Sequence, residues 1–311
     1  MTSPHVSIVI PVYRGSKTIE ELYLRVKNVF DLQIRKEFEI IFVDDASPDD
    51  SWEVMKKLRE RDNRIKIITF ARNFGQHPAI LCGMRYATGE FVVTMDDDLQ
   101  HPPEEIPKLL NDIINNEDCD VIIGKYVVKN HNLLRNFGTF IINKATNSIF
   151  DKSNDLRLTS FRVLRKNVVA DILQFSTESP RIGQIILQVT NKIKNVDVVH
   201  SPRKVGKSGY TFSKLIKDFL DNIISNSALP LKFVTYIGVF SFVVAFLLVL
   251  VYLYKYFFVG ISISGWTTVI LILLLCFGFL FLSIGIIGEY LIRILREAKK
   301  LPQYIIRKKD F

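Results

Sequence analysis

Phe91-Val92-Val93-Thr94-Met95-Asp96-Asp97-Asp98-Leu99-Gln100-His101-Pro102-Pro103 joins an apolar run to three adjacent carboxylates and a proline-bounded turn. A short apolar, β-branched run bounded by turn signals reads as a strand buried on both faces, here Phe91 to Met95. The acids then fall at its carboxyl end. Three neighbouring carboxylates repel one another, so the cluster favours a cation. Oxygen donors of this kind suit Mg2+ or Mn2+, which bridge phosphate oxygens. If the segment stays extended, Asp96 and Asp98 share one side, Asp97 points away and Gln100 repeats the phase of the pair. A solvated acidic loop is the plain alternative.

Towards the N-terminus the same rhythm repeats. Val6 to Val12, Glu39 to Val43 and Ile65 to Phe70 read as strands; about Thr18 to Leu32, Ser51 to Arg61 and Pro78 to Ala87 read as helices. Beyond the acids, Pro103 to Asn115 is helical and Val121 to Gly124 is a fifth strand. Apolar strands alternating with helices predict an α/β domain with a mostly parallel sheet covered on both faces. In such sheets ligands bind beyond the carboxyl ends of the strands. Pro11-Val12-Tyr13, Asp44-Asp45 and Asp96 to Gln100 all fall there. Asp49 or Asp50 suits the cap of the helix starting near Ser51. Leu133 to Phe150 has helical spacing, Ser160 to Ile172 mixes strand and helix signals, and Lys192 to Val199 reads as a strand before the basic loop Pro202 to Tyr210.

After residue 210 the composition changes. Phe212, Leu215, Ile216, Phe219, Leu220, Ile223 and Ile224 fall on one face of an amphipathic segment, predicting an interfacial helix over 211–230. Residues 233–256 and 266–289 are each long enough to span a bilayer, and Lys255 is the one charge between Phe233 and Gly288. The link between them carries no Lys or Arg, whereas both outer flanks are rich in them. The positive-inside rule then places the catalytic domain, residues 1–210, and the basic tail, 291–311, in the cytoplasm. The start of the chain has no basic n-region and predicts no cleaved leader.

The chain has 311 residues, 48% of them hydrophobic, with 41 Lys and Arg against 32 Asp and Glu, a net charge of +9. Mean hydropathy is +0.19 and the pI near 9.3. With no nucleic-acid-binding signature, the basic balance suits anionic lipid headgroups. Cys82, Cys119 and Cys276 are far apart and read as reduced thiols without metal spacing.

Ser7-Ile8-Val9-Ile10-Pro11-Val12-Tyr13, Val43-Asp44-Asp45-Ala46-Ser47, Arg72-Asn73-Phe74-Gly75-Gln76-His77 and the stretch from Met95 to Glu104 together resemble inverting family-2 glycosyltransferases of the GT-A fold. The likeness is to the polyprenyl-phosphate branch, which includes dolichol-phosphate mannose synthase and the GtrB-type and ArnC-type undecaprenyl-phosphate transferases. Arg203 to Tyr210 and Gly285 to Gln303 extend it over nearly the whole chain. The resemblance implies that Pro11, Tyr13, Asp44, Asp45, Arg72, Asp96 and Asp97 line the nucleotide sugar. It implies Asp96 and Asp98 as the D-x-D pair, with Asp98 and Gln100 on the metal. Arg162 and Arg203 would meet phosphates, joined on the acceptor side by Lys207, Ser208 and Tyr210. Surface ion pairing is the plain alternative for Arg72 and Arg162, and His77 and His101 read as hydrogen-bonded loop residues.

Two departures stand out: Arg14-Gly15-Ser16 replaces the Asn-Glu that often follows Pro-Val-Tyr, and Gly206-Lys207-Ser208-Gly209-Tyr210 replaces Gly-Glu-Ser-Lys-Tyr. The implied reaction moves a sugar, with a UDP-sugar as favoured donor, to a polyprenyl phosphate for cell-envelope glycan modification. The implied assembly is a homo-oligomer, a tetramer by preference. Transfer to a hydroxyl, with Asp151 or Asp155 as base, and an inactive assembly subunit are the competing readings.

Overall fold

The computed structural model describes residues 5–126, 156–177, 180–199, 265–298 and 302–311, with scattered helical positions between 234 and 258. Two compact units result, one of Met1–Ser208 with Lys300–Phe311 and one of Gly209–Lys299.

The first unit is built on strands β1 (Val6–Val12), β2 (Phe38–Asp44), β3 (Ile65–Phe70), β4 (Phe91–Thr94), β5 (Val121–Tyr126), β6 (Arg162–Arg165), β7 (Ile193–Val198) and β8 (Ile306–Asp310). They form one 8-stranded sheet in the order β7-β5-β6-β4-β1-β2-β3-β8. β1 pairs in parallel with β2 and β4, β2 with β3, and β5 with β7. β6 runs antiparallel between β4 and β5, and β8 runs antiparallel to β3. The expected mostly parallel sheet is therefore present, with two antiparallel insertions. The mixed signals of 160–172 resolve into β6 followed directly by a helix.

Strand order runs outward from β1 in opposite directions, to β2 and β3 on one side and to β4 on the other. Such a reversal opens a crevice at the carboxyl ends of the two central strands. Pro11 suits this place. Val12 O accepts Asp45 N on the β2 side, so position 11 turns its missing N–H towards β4. There the ladder stops at the Val9–Thr94 pair and needs no donor.

Helices cover both faces. One core layer sets Ile8, Ile10, Phe42 and Val93 against Leu22 of α1 (Ile19–Asn28), Met55 of α2 (Ser51–Arg61) and Leu109 of α4 (Ile106–Asn115). The other sets Val9, Ile41, Ile68 and Leu164 against Ile80 of α3 (Gln76–Tyr86), Val169 of α5 (Lys166–Ile172) and Ile186 of α6 (Ile182–Val189). The period-2 alternation of strands buried on both sides accounts for the near-continuous apolar runs.

The basic segment 291–311, expected as a separate tail, ends as β8 on the edge of this sheet. Tyr304 stacks on Phe70 with ring centroids 5.1 Å apart, and Gln303 donates to the Phe175 and Thr177 carbonyls.

In the second unit, α7 (Trp266–Ala298) runs for 33 residues, the first 23 without a charged side chain. Counted over the described residues alone, no helix is long and apolar enough to cross a membrane. The interfacial helix expected at 211–230 lies outside the described residues, as does most of the first span expected at 233–256. The helix expected at 133–150 lies outside them too.

Candidate active site

Three loops leave the carboxyl ends of β1, β2 and β4, and each carries one left-handed non-glycine residue. These are Arg14 at φ 60, Ala46 at φ 54 and Leu99 at φ 61. Strain of this kind, about 1–2 kcal/mol per residue, persists where surrounding contacts over-determine the backbone.

Leu99 decides how the acid cluster is displayed. Its side chain is 1% exposed in the core, and residues 97 and 98 form a turn rather than an extended segment. The expected shared side of Asp96, Asp98 and Gln100 is thereby corrected, because β4 ends at Thr94 and the alternation of a strand no longer applies. The three carboxylates point three ways. Asp96 accepts from Gln76 Nε2 and, at 2.7 Å, from Ser160 Oγ. Asp97 Oδ2 accepts the Tyr13 amide at 3.3 Å. Asp98 Oδ1 accepts the Gln100 amide at 3.1 Å.

Asp97 therefore lies beneath the loop after β1. A Cβ at position 15 would stand 2.5 Å from Asp97 Oδ2, which is why Gly15 follows Arg14. Burial pushes the Asp97 carboxyl up to about 7, with Asp96 and Asp98 adding to the rise against the Tyr13 amide bond.

Asp44 and Asp45 are 2% and 3% exposed and fasten the neighbouring loops. Asp44 accepts the Ser47 amide and the Thr69 hydroxyl at 3.0 and 2.7 Å. Asp45 accepts the Phe74 and Gly75 amides, at 2.6 and 2.8 Å, where α3 begins. Burial raises the Asp45 pKa despite those two bonds. Tyr13 is exposed at this edge with the Arg14 guanidinium 5.4 Å from its ring centroid. Of the two residues expected to cap α2, Asp50 holds the cap position and makes no capping hydrogen bond, while Asp49 accepts the Ser51 amide and hydroxyl and the Ser16 amide just before the helix.

His101 is buried and stacked against Tyr126 and Phe161. Its Nδ1 accepts the Asp96 amide proton at 3.3 Å. An accepting Nδ1 is an unprotonated one, so the 3.9 Å approach of Asp96 Oδ2 is not an ion pair. Glu104, held by a two-pronged bond from Arg25 at 2.9 and 2.6 Å, anchors the far end of the acidic loop to α1.

Arg162 is not a surface residue. It is 3% exposed, and its Nε and Nη1 have no hydrogen-bond partner. Arg72 is exposed with its guanidinium 4.8 Å from the Phe74 ring centroid. Arg203, Lys207, Ser208 and Tyr210 lie outside the described residues, as do Asp151 and Asp155. The fold adds Gln76, His77, Ser160 and Arg181 to the candidate set. Gln76 and His77 belong to a stretch quoted for the family resemblance, but His77, expected as a hydrogen-bonded loop residue, is instead the second residue of α3 with an unpartnered Nδ1; Ser160 and Arg181 carried no local signal.

Among the described residues no three His, Cys, Asp or Glu side chains converge as a metal site. By donor chemistry, the Asp98 carboxylate with the Gln100 amide oxygen suits a hard divalent cation that takes its remaining ligands from water and substrate phosphates.

The family profile described as Glycosyl transferase family 2 matches residues 7–173. The chain is 34% identical over 310 residues to the uncharacterized glycosyltransferase YkcC of Bacillus subtilis, covering 97% of this chain and 93% of that protein. It is 32% identical over 306 residues, with the same coverage, to the undecaprenyl-phosphate 4-deoxy-4-formamido-L-arabinose transferase of Photorhabdus laumondii. Among solved structures, glucosyl-3-phosphoglycerate synthase of Mycobacterium tuberculosis superposes with a TM-score of 0.53 at 15% identity, over 71% of this chain and 78% of that one. That likeness concerns the fold alone. The matched profile and relatives aligned over nearly their whole length agree: the chain belongs to glycosyl transferase family 2 and is a glycosyltransferase.

Proposed function

We propose that the protein transfers a sugar from a nucleotide sugar to a polyprenyl phosphate at the cytoplasmic face of a membrane, with inversion at the anomeric carbon. The likeness to undecaprenyl-phosphate transferases over 97% of the chain carries this reading. The loops after β1 and β2 hold the nucleoside, with Tyr13 as an exposed ring beside Pro11 and with Asp44 and Asp45 keeping the loops in place. Arg72 lines the donor side. A UDP-sugar is the favoured donor, destined for envelope glycan modification.

The acceptor sets the chemistry. A phosphate monoester is already an anion, so its oxygen needs no strong base to attack C1 of the sugar. One bond forms between that oxygen and C1 as the bond from C1 to the diphosphate oxygen breaks on the opposite face. Mg2+ or Mn2+ held by Asp98 and Gln100 would supply countercharge for the leaving diphosphate. Asp96, fixed by Gln76 and Ser160, borders the place where donor and acceptor meet. Arg162, with Arg203 and the Lys207-Ser208-Tyr210 loop, holds the acceptor phosphate, and fixed positions supply much of the acceleration.

The membrane part of the proposal is an interfacial helix at 211–230, a hairpin at 233–256 and 266–289, and both termini cytoplasmic. Supporting it, α7 exposes Val269, Ile272, Leu273, Phe277, Leu280, Ile284 and Ile287, a row of apolar side chains unsuited to water. A homo-oligomer, tetrameric by preference, completes the reading. Membranes carrying the protein, given labelled nucleotide sugars and undecaprenyl phosphate, are expected to yield a divalent-metal-dependent, acid-labile, organic-extractable sugar phosphate. Label found only on a hydroxyl acceptor would overturn the proposal.

A further inference from the structure

Alternation along β6 places Arg162 with Leu164, on the sheet face covered by α3, α5 and α6. Arg165, in the same strand, spends its donors on carbonyls: Nε on Cys119 at 2.9 Å, Nη2 on Ile113 and Asn116 at 2.7 and 3.2 Å. Arg162 spends neither Nε nor Nη1 on the protein, although it is the more buried of the two. Burial pushes its pKa down to about 10 against the pull of Asp96, so it stays charged at neutral pH. A buried cation with unmade hydrogen bonds is costly, and an arriving anion relieves that cost.

A second unpartnered group stands at the start of α3, a helix that covers the same sheet face. His77 Nδ1 is buried without a hydrogen-bond partner. Burial first, then the charges of Arg162 and Arg181, lower the His77 pKa to about 4. The imidazole is thus neutral and feels both guanidiniums. His77 is the second residue of α3 and Arg181 directly precedes α6, and both helices pack on the sheet face that Arg162 shares with Leu164. The neighbouring carboxylate, Asp96, is engaged by Gln76 and Ser160. In the sheet order, β6 lies on the far side of β4 from β1 and β2, whose loops form the nucleoside edge.

We propose that His77, Arg162 and Arg181 form one oxyanion pocket for a phosphate monoester, with His77 Nδ1 as a direct ligand of the acceptor phosphate. It rests on the polyprenyl-phosphate reading above. A proton on Nδ1 lets the neutral imidazole donate to one phosphate oxygen while the guanidiniums meet the others.

The purified full-length protein tests this in two ways. In thermal melts, inorganic phosphate and a short-chain isoprenyl monophosphate are expected to protect the wild type and the matching isoprenyl alcohol not to. His77→Leu loses that protection and His77→Asn, which keeps a donor near the Nδ1 position, retains most of it. In turnover, His77→Leu raises the acceptor KM about tenfold, the worth of one hydrogen bond to a charged group, with the donor KM unchanged. Equal phosphate protection of wild type and His77→Leu overturns the pocket, as does a rise in donor KM alone. If Arg162→Leu raises the acceptor KM and His77→Leu does not, the role of His77 falls and the acceptor reading stands. If wild type transfers nothing to a polyprenyl phosphate, that reading falls, and with it the acceptor as the pocket's occupant. Should His77→Leu fail to bind UDP or to melt cooperatively, His77→Phe repeats the comparison.

Discussion

Asp96, Asp97 and Asp98 are neighbours with three different occupations: one accepting from Gln76 and Ser160, one propping the β1 loop and one closing a turn with Gln100. Asp98→Ala removes the part-buried bond from the Gln100 amide, outside the hydrophobic core, and is expected to keep the melting temperature within a few degrees. In the proposed reaction it loses about a hundredfold or more in kcat, the scale of a lost electrostatic partner of the transition state. Wild-type turnover in purified Asp98→Ala protein would refute the metal assignment. At the amino ends of the strands, away from the site, Glu39 is 5% exposed and accepts from Ser7 Oγ, Thr88 N, Thr88 Oγ1 and Lys66 Nζ. Burial alone would raise its pKa; those bonds outweigh it and hold the group below its ordinary 4.5. A depressed carboxylate contributes stability above its unfolded pKa and loses it as pH falls through the folded value. Urea midpoints should therefore drop below about pH 4.5, and Glu39→Gln should flatten part of that drop. Lys66→Met strands the buried carboxylate and is expected to cost about 2 kcal/mol, less than a fully buried pair because Lys66 is partly exposed.

At the level of elements, the central strands and their helices were legible because burial on both faces writes continuous apolar runs into β1, β2, β3 and β4. β8 was not. Its residues Ile306-Arg307-Lys308-Lys309-Asp310 contain one apolar side chain, and four of the five are exposed. It is a strand because the edge of β3 offers unpaired backbone groups, a long-range cause that no local pattern records. Charged side chains on an edge strand also discourage further pairing. Tyr304 fixes the approach by stacking on Phe70, with the Arg85 guanidinium 5.9 Å from its ring centroid. Tyr304→Ala is expected to cost about 2–3 kcal/mol in urea unfolding. Deleting residues 303–311 should leave an aggregation-prone edge, read by light scattering at equal protein concentration. A deletion variant as stable and monodisperse as the parent would show that β8 contributes nothing to the sheet.

Over the whole molecule, the path of the chain constrains the proposed membrane topology. The polypeptide leaves the first unit at Ser208 and rejoins it at Lys300. Both ends of 209–299 are therefore tied to one folded body, and any number of bilayer crossings between them is even. The charge pattern reaches the same conclusion by a separate route, since basic residues flank the segment on both sides. In a Cys276→Ser background, a cysteine placed at Ser264 should react with a membrane-impermeant maleimide in intact cells. One placed at Phe311 should react only after the cells are opened. Cys82 and Cys119 are buried and should stay silent. Labelling of both introduced positions in intact cells would overturn the hairpin.

The alternation of apolar runs and edge acids, the resemblance covering nearly the whole chain and the shift to apolar composition after residue 210 were enough to name the fold class, the family and the residues worth watching. Those are properties of local pattern, and local pattern reports burial and periodicity. It does not report direction. Leu99, seated in the core with a left-handed backbone, turns Asp96, Asp97 and Asp98 apart. The alternation of β6, known only once its register against β4 exists, buries Arg162 on the sheet face that α3 and α6 cover. Residues 85 and 104 positions apart in the chain are brought to one sheet face because helices α3 and α6 both pack there. That meeting depends on contacts between distant segments, which form only in the folded protein.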